Sequence, residues 1–212
     1  MNFTKFRSQY RDRPYFLGRD ITHGQEGVQN IRNQLRRWQQ RGLITALKKS
    51  LYVFNRDDGK AGIDKNYAAN VIYGPSYLSL EYALSFYGLV PERVTDITCV
   101  TTLKTAVFDN PLGRYVYQHI KPEAFRGFIS MGEFPSRFFM AGPEKAVVDF
   151  LYLNLGKFKG NTVELLKESY RFQNVEDLDQ AKLSAWGKLF KVKKLTGVIR
   201  DFCRWIDEEQ HD

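Results

Sequence analysis

The chain has 212 residues with 43% hydrophobic and 15% aromatic side chains, enough to bury a core, so intrinsic disorder is not its expected state. No run is long and apolar enough to span a bilayer, and the basic start MNFTKFRSQYRDR lacks the apolar stretch of a signal peptide. A cytoplasmic protein without a membrane partner is therefore expected. The net charge of +8 is uneven, because residues 1–60 hold 13 Lys+Arg against 5 Asp+Glu while residues 61–212 hold 19 of each. Charge localised in this way is the footprint of a polyanion-binding module joined to a neutral one.

Phe3, Phe6 and Tyr10 stand at helical spacing over residues 2–12, and Pro14 closes that helix. A short second helix is expected within Tyr15–His23, with Gly24-Gln25-Glu26-Gly27 as the turn after it. Val28, Ile31, Leu35 and Trp38 then share one face of a helix that Gly42 stops. Two β-type runs follow, Leu43–Leu47 and Leu51–Phe54, around a Lys48-Lys49-Ser50 turn. A helix ending in Arg-Gly-Leu-Ile and followed by a basic hairpin is how a winged helix-turn-helix reads, with the recognition helix first and the wing after it.

The other face of that helix carries Gln29, Asn30, Asn33, Arg36, Arg37, Gln40 and Arg41, and no acidic residue lies between Gly27 and Arg56. Asn and Gln can pair with adenine edges, and Arg with guanine edges or phosphates. A merely solvated face normally mixes charge signs, and this one does not. These seven residues, with Lys48 and Lys49 from the wing, are the expected contacts to double-stranded DNA. A membrane-surface helix is the rival, but the apolar stripe is sized for a small core rather than for lipid.

Asn55–Asn66 is polar and glycine-containing and is read as the linker. In the second module, Ser79 is placed as the N-cap of a helix carrying Leu80, Ala83, Leu84 and Tyr87, which Gly88 ends. Strands are expected at Asp96–Thr102, at Thr105–Phe108 and Tyr115–Ile120 about an Asn110–Gly113 turn, and at Gly127–Met131 and Arg137–Met140. Pro143 starts a largely apolar helix, and three more helices follow at about Val163–Arg171, Val175–Lys188 and Leu195–Glu208. The predicted fold is α+β: an N-terminal winged helix over residues 1–60, then residues 61–212 with a small β-sheet and a helical C-terminal half.

No metal-ligand cluster or phosphate-binding glycine loop stands out, and Cys99 and Cys203 read as two free thiols in apolar contexts, so no cofactor or metal is expected. Glu144, Lys145 and Asp149 are the residues an enzyme acting on nucleic acid would use. The simpler account is that Glu144 serves its helix N-terminus and that Lys145 and Asp149 form an i,i+4 pair. The many aromatics of this half, Tyr77, Phe86 and Phe139 among them, fit a core better than a base-stacking surface, since its net charge is zero.

PSYLSLEYALSFYGLVPE, ITCVTT, NPLGRYVYQHI, GFISM and FFMAGPEKAVVDFLYL, in that order, resemble the AbiEi-type antitoxins, which are transcriptional regulators of type IV toxin–antitoxin systems. The resemblance covers roughly residues 28–155. Ser79-Leu80-Glu81 and Glu144-Lys145-Ala146 with Asp149 match best. The family's wing commonly reads arginine-glycine-x-tyrosine, whereas this chain has Lys49-Ser50-Leu51-Tyr52, a change expected to alter the turn. The resemblance implies a non-enzymatic repressor that binds inverted repeats in its own promoter, where a homodimer could sit. It also implies a role in phage defence, opposing a cognate nucleotidyltransferase (AbiEii-type) toxin directly or only functionally. The alternatives are the nucleic-acid-processing enzyme just described and a basic adaptor that binds an acidic protein.

Overall fold

The computed structural model describes residues 2–22, 28–55 and 63–210, and shows a mixed α+β protein. Its first elements are α1 (Phe3–Tyr10), β1 (Phe16–Leu17), α2 (Gly18–Thr22), α3 (Val28–Gln40), β2 (Ile44–Lys48) and β3 (Leu51–Phe54). Asn2 caps α1, its side chain accepting from the Thr4 amide at 3.0 Å. The short helix expected within Tyr15–His23 is α2 at Gly18–Thr22, and Phe16 and Leu17 before it are an unexpected strand antiparallel to β3. His23, the turn at residues 24–27 and most of the linker lie outside the described residues.

Helix α3 ends as its sequence dictates. Gly42 takes φ +67°, the Leu43 amide donates to the Trp38 carbonyl at 2.9 Å, and the Gly42 amide donates to Gln39, also at 2.9 Å. That double bond closes the last turn and needs a residue tolerant of positive φ. Strands β1, β3 and β2 form an antiparallel sheet in that order, with a bulge at Leu47 and a two-residue Lys49-Ser50 turn. One face of this sheet, with Phe16, Ile44 and Phe54, packs on Phe6, Tyr10, Leu35 and Trp38. The other face, with Leu47, Leu51 and Val53, joins a second and larger core. Val28, expected in the apolar stripe, is instead exposed at 37%.

The larger core belongs to a six-stranded mixed sheet, bigger than the small sheet expected, with strand order β6-β7-β5-β4-β9-β8. Its strands are β4 (Ser76–Leu78), β5 (Ile97–Thr101), β6 (Ala106–Asn110), β7 (Gly113–His119), β8 (Phe128–Met131) and β9 (Phe138–Ala141). Helix α4 (Lys65–Ile72), at whose start the linker was expected to end, is capped by Asp64 and covers one face. There Tyr115 and Tyr117 on β7 donate their hydroxyls to the carbonyls of Lys65 and Ala69. From the other face Tyr77 reaches α6 (Pro143–Leu153), which packs beside α5 (Leu80–Phe86) and α8 (Gln180–Leu189). The chain continues from α6 through α7 (Thr162–Glu164) and a π-helical turn at Leu165–Ser169, and ends after α8 in α9 (Lys193–Glu209). The helix expected from Val175 begins only at Gln180, where Asp179 caps it. No helix among the described residues is long and apolar enough to cross a membrane.

Candidate nucleic-acid interface

Helix α3 is anchored from inside by aromatic packing. Trp38 is 1% exposed and stacks on Phe6 at 4.8 Å between ring centroids, with Phe3 edge-on at 5.2 Å. With Leu35 and Trp38 held inward, the helical period turns Gln29, Asn33, Arg36 and Gln40 to the opposite side. These four are exposed, as are Asn30, Arg37 and Arg41 on the flank. Arg32, absent from the sequence-derived set, is exposed as well. Gln29 donates to the Asn33 side chain at 3.2 Å, one turn along the same face.

Among the described residues, none of Arg32, Arg36, Arg37 and Arg41 has an acidic side chain within ion-pair distance. Among the described residues their charge is uncompensated, and it projects into solvent. The hairpin places its two lysines differently. Lys49 is exposed, but Lys48 is half-buried, and burial pulls its ammonium below the usual lysine range. Ser50 takes φ +63°, so the serine occupies the left-handed position that glycine would favour, and the turn stays tight. Its carbonyl accepts from the Gly18 amide at 2.9 Å, which ties the hairpin's end to the start of α2.

Glu144, Lys145 and Asp149 are brought together, but not at a surface. Lys145 and Asp149 form the expected i,i+4 ion pair, and both are 0% exposed, so the pair is buried. The other carboxylate oxygen of Asp149 accepts from Tyr77 at 2.8 Å and from Ser79 at 2.9 Å. The Lys145 ammonium also lies over the rings of Phe190, at 5.0 Å, and Tyr77, at 5.6 Å. Burial lowers the Lys145 pKa and raises that of Asp149, and the attraction between the two opposes both shifts. Ser79 stands at the N-cap of α5 as expected, but its hydroxyl makes no cap bond because it is committed to Asp149. Glu144 stands in the first turn of α6 as expected, and it also accepts from the Asp179 amide at 3.3 Å and lies 3.7 Å from the Lys182 ammonium, so it braces the start of α8 as well.

The backbone around this network is constrained. The Ser79 carbonyl accepts from Thr98 at 2.7 Å, and Leu80 is held at φ +59°. Tyr77 and Phe150 are core as expected, whereas Phe86 and Phe139 are 52% and 45% exposed. Among the described residues no group of three or more His, Cys, Asp and Glu could hold a metal ion. Cys99 and Cys203 are both free thiols. Fold and surface together describe an α+β protein with an exposed cationic helix face and, apart from it, a buried charged network. No protein-family model and no curated protein matches this sequence.

Proposed function

We propose that residues 2–55 are a winged helix-turn-helix that binds double-stranded DNA, with α3 as the recognition helix and the β2–β3 hairpin as the wing. The element order supports this: helix, strand, helix, helix, hairpin, with the strands ordered β1-β3-β2. The observation that carries it is the outer face of α3, where arginines with no acidic partner among the described residues stand among exposed Asn and Gln side chains. In this reading Asn30, Asn33, Arg36 and Arg37 enter or line the major groove, and Lys49 reaches phosphate from the wing. The resemblance to AbiEi-type antitoxins extends the proposal. The protein represses its own operon, the rest of the chain opposes a nucleotidyltransferase toxin, and no residue has a catalytic role.

A mobility shift with the DNA just upstream of the gene, against scrambled DNA at matched salt, tests the first part. A shift confined to the upstream fragment is expected. The double substitution Arg36→Ala/Arg37→Ala should weaken that binding by tenfold or more. It should also lower the salt slope by about 2, since each phosphate neutralised by a cation contributes about 0.9. If the double variant binds like the wild type, α3 is not the recognition helix. Co-expression with the toxin encoded beside the gene tests the second part, and unrelieved toxicity would sink it.

A further inference from the structure

A second basic surface lies where the β2–β3 hairpin meets the six-stranded sheet and α4. A groove of about 750 Å³ there is lined by Arg19 of α2, Lys48 and Lys49 of the hairpin, and Arg137 just before β9. Three separate stretches of chain thus bring cations to one place, and no Asp or Glu is among the described residues lining it. Arg137 and Lys49 are exposed and have no ion pair among the described residues, while Arg19 lies 3.9 Å from its neighbour Asp20. The groove is also lined by half-buried Tyr15 and Tyr67, whose rings lie 6.3 Å apart across the junction. Cations around a partly apolar groove focus positive potential more strongly than the same charges on an open surface.

We infer that this groove takes the sugar–phosphate backbone of duplex DNA, so that Arg137 makes the second half of the chain part of the DNA-binding surface. The inference rests on the DNA-binding reading above. The chemistry of the lining favours phosphate over bases. Its one amide side chain, Asn70, is already used at both ends, donating to the Ser76 carbonyl at 2.9 Å and accepting from the Phe139 amide at 2.7 Å. No free Asn or Gln is left to read a base edge, whereas the four cations suit phosphates of any sequence. The burial of Lys48 adds to this, since a partly desolvated ammonium gains more from an arriving anion than a fully hydrated one.

The test is a salt series of binding to the upstream duplex and to a scrambled duplex. It compares the wild type, Arg137→Ala, Arg137→Lys, Arg36→Ala/Arg37→Ala and, as a charge-matched control on α9, Arg200→Ala. Arg137→Ala should weaken both duplexes alike, by about fivefold, and lower the salt slope by about 1. Arg137→Lys should keep the slope, and Arg200→Ala should leave affinity and slope unchanged. If Arg137→Ala behaves as wild type while Arg36→Ala/Arg37→Ala loses binding, the groove is overturned and the recognition helix stands. If the wild type shifts neither duplex, both readings fall. Equal losses from Arg137→Ala and Arg200→Ala would reduce the groove to general charge and overturn it. A single strand that binds as tightly as the duplex and depends on Arg137 would overturn the assignment to duplex backbone.

Discussion

Cations are handled differently in the two parts of the molecule. In residues 2–55, Arg11 and Arg19 pair loosely with the adjacent Asp12 and Asp20, and the arginines of α3 pair with no described acid. In residues 63–210, Arg114 lies between Asp96 and Asp109, Arg171 meets Glu92 at 2.9 Å, Lys167 meets Glu209 at 2.8 Å, and Lys145 is buried on Asp149. Exposed pairs of this kind contribute little stability, but they do cancel charge. The contrast shows which part of the surface is left to attract something else. In the second part six of the 19 cations (Arg114, Lys145, Lys167, Arg171, Lys182 and Arg204) meet an acid, and over α3 none does among the described residues.

The largest expected effect tests the inward half of this contrast. Asp149→Ala strands the buried Lys145 ammonium and removes the acceptor of Tyr77 and Ser79. Breaking such a pair from one side costs about 3–5 kcal/mol, because an uncompensated charge is left in a low-dielectric site. The double substitution Lys145→Met/Asp149→Leu removes both charges and should be less destabilised than Asp149→Ala alone. Urea midpoints at constant slope would measure this. Additive losses would show the two groups to be independent and the network to be no unit.

Next in size is Leu35→Ala, which opens a cavity in the small core and should cost about 3 kcal/mol. It tests whether the two cores form one cooperative structure. Strands β2 and β3 send Ile44 and Phe54 into one core and Leu47, Leu51 and Val53 into the other, and Asn110 donates to the Leu47 carbonyl at 3.2 Å. One coincident transition by tryptophan fluorescence and far-ultraviolet circular dichroism is expected, displaced as a whole in the variant. Two separated midpoints would make the small core an independent unit and sharpen the contrast into a domain boundary.

Local features are legible in the sequence and distant pairings are not. The end of α3 follows from Gly42, and the β6–β7 turn from Asn110–Gly113, because each signal acts within a few residues. Asp149 can be singled out, but not its partners, since Tyr77 and Ser79 are 72 and 70 residues away and only the folded sheet brings them close. Ser79 is half legible for the same reason: a serine before an apolar helix reads correctly as the cap position, but tertiary contact draws its hydroxyl elsewhere. Strands β1 and β4, of two and three residues, are too short to show a period. Helix α4 does carry a signal, with Asp64 as its cap and Ala68, Ala69 and Ile72 facing inward, but the polar run beside it hides where the helix starts. The groove at Arg137 has no sequence signature, because its cations come from three separate stretches of chain.

The smallest expected effect lies at the hairpin's end, where the two parts of the molecule meet. A non-glycine residue in the left-handed region costs about 1–2 kcal/mol, and Ser50 sits there at φ +63°. Ser50→Gly removes that cost but lets the unfolded chain gain entropy, which returns about 0.4–1 kcal/mol. The net expectation is a gain of about 0.5–1 kcal/mol, visible as a small rise in the urea midpoint. The tie from the Gly18 amide to the Ser50 carbonyl uses backbone alone and should survive the change. Lys48 and Lys49 also remain, so the salt slope of DNA binding should not move. A slope that falls while stability rises would mean that the serine turn holds the lysines toward DNA, and that the strain at Ser50 serves the outward-facing charge rather than the fold.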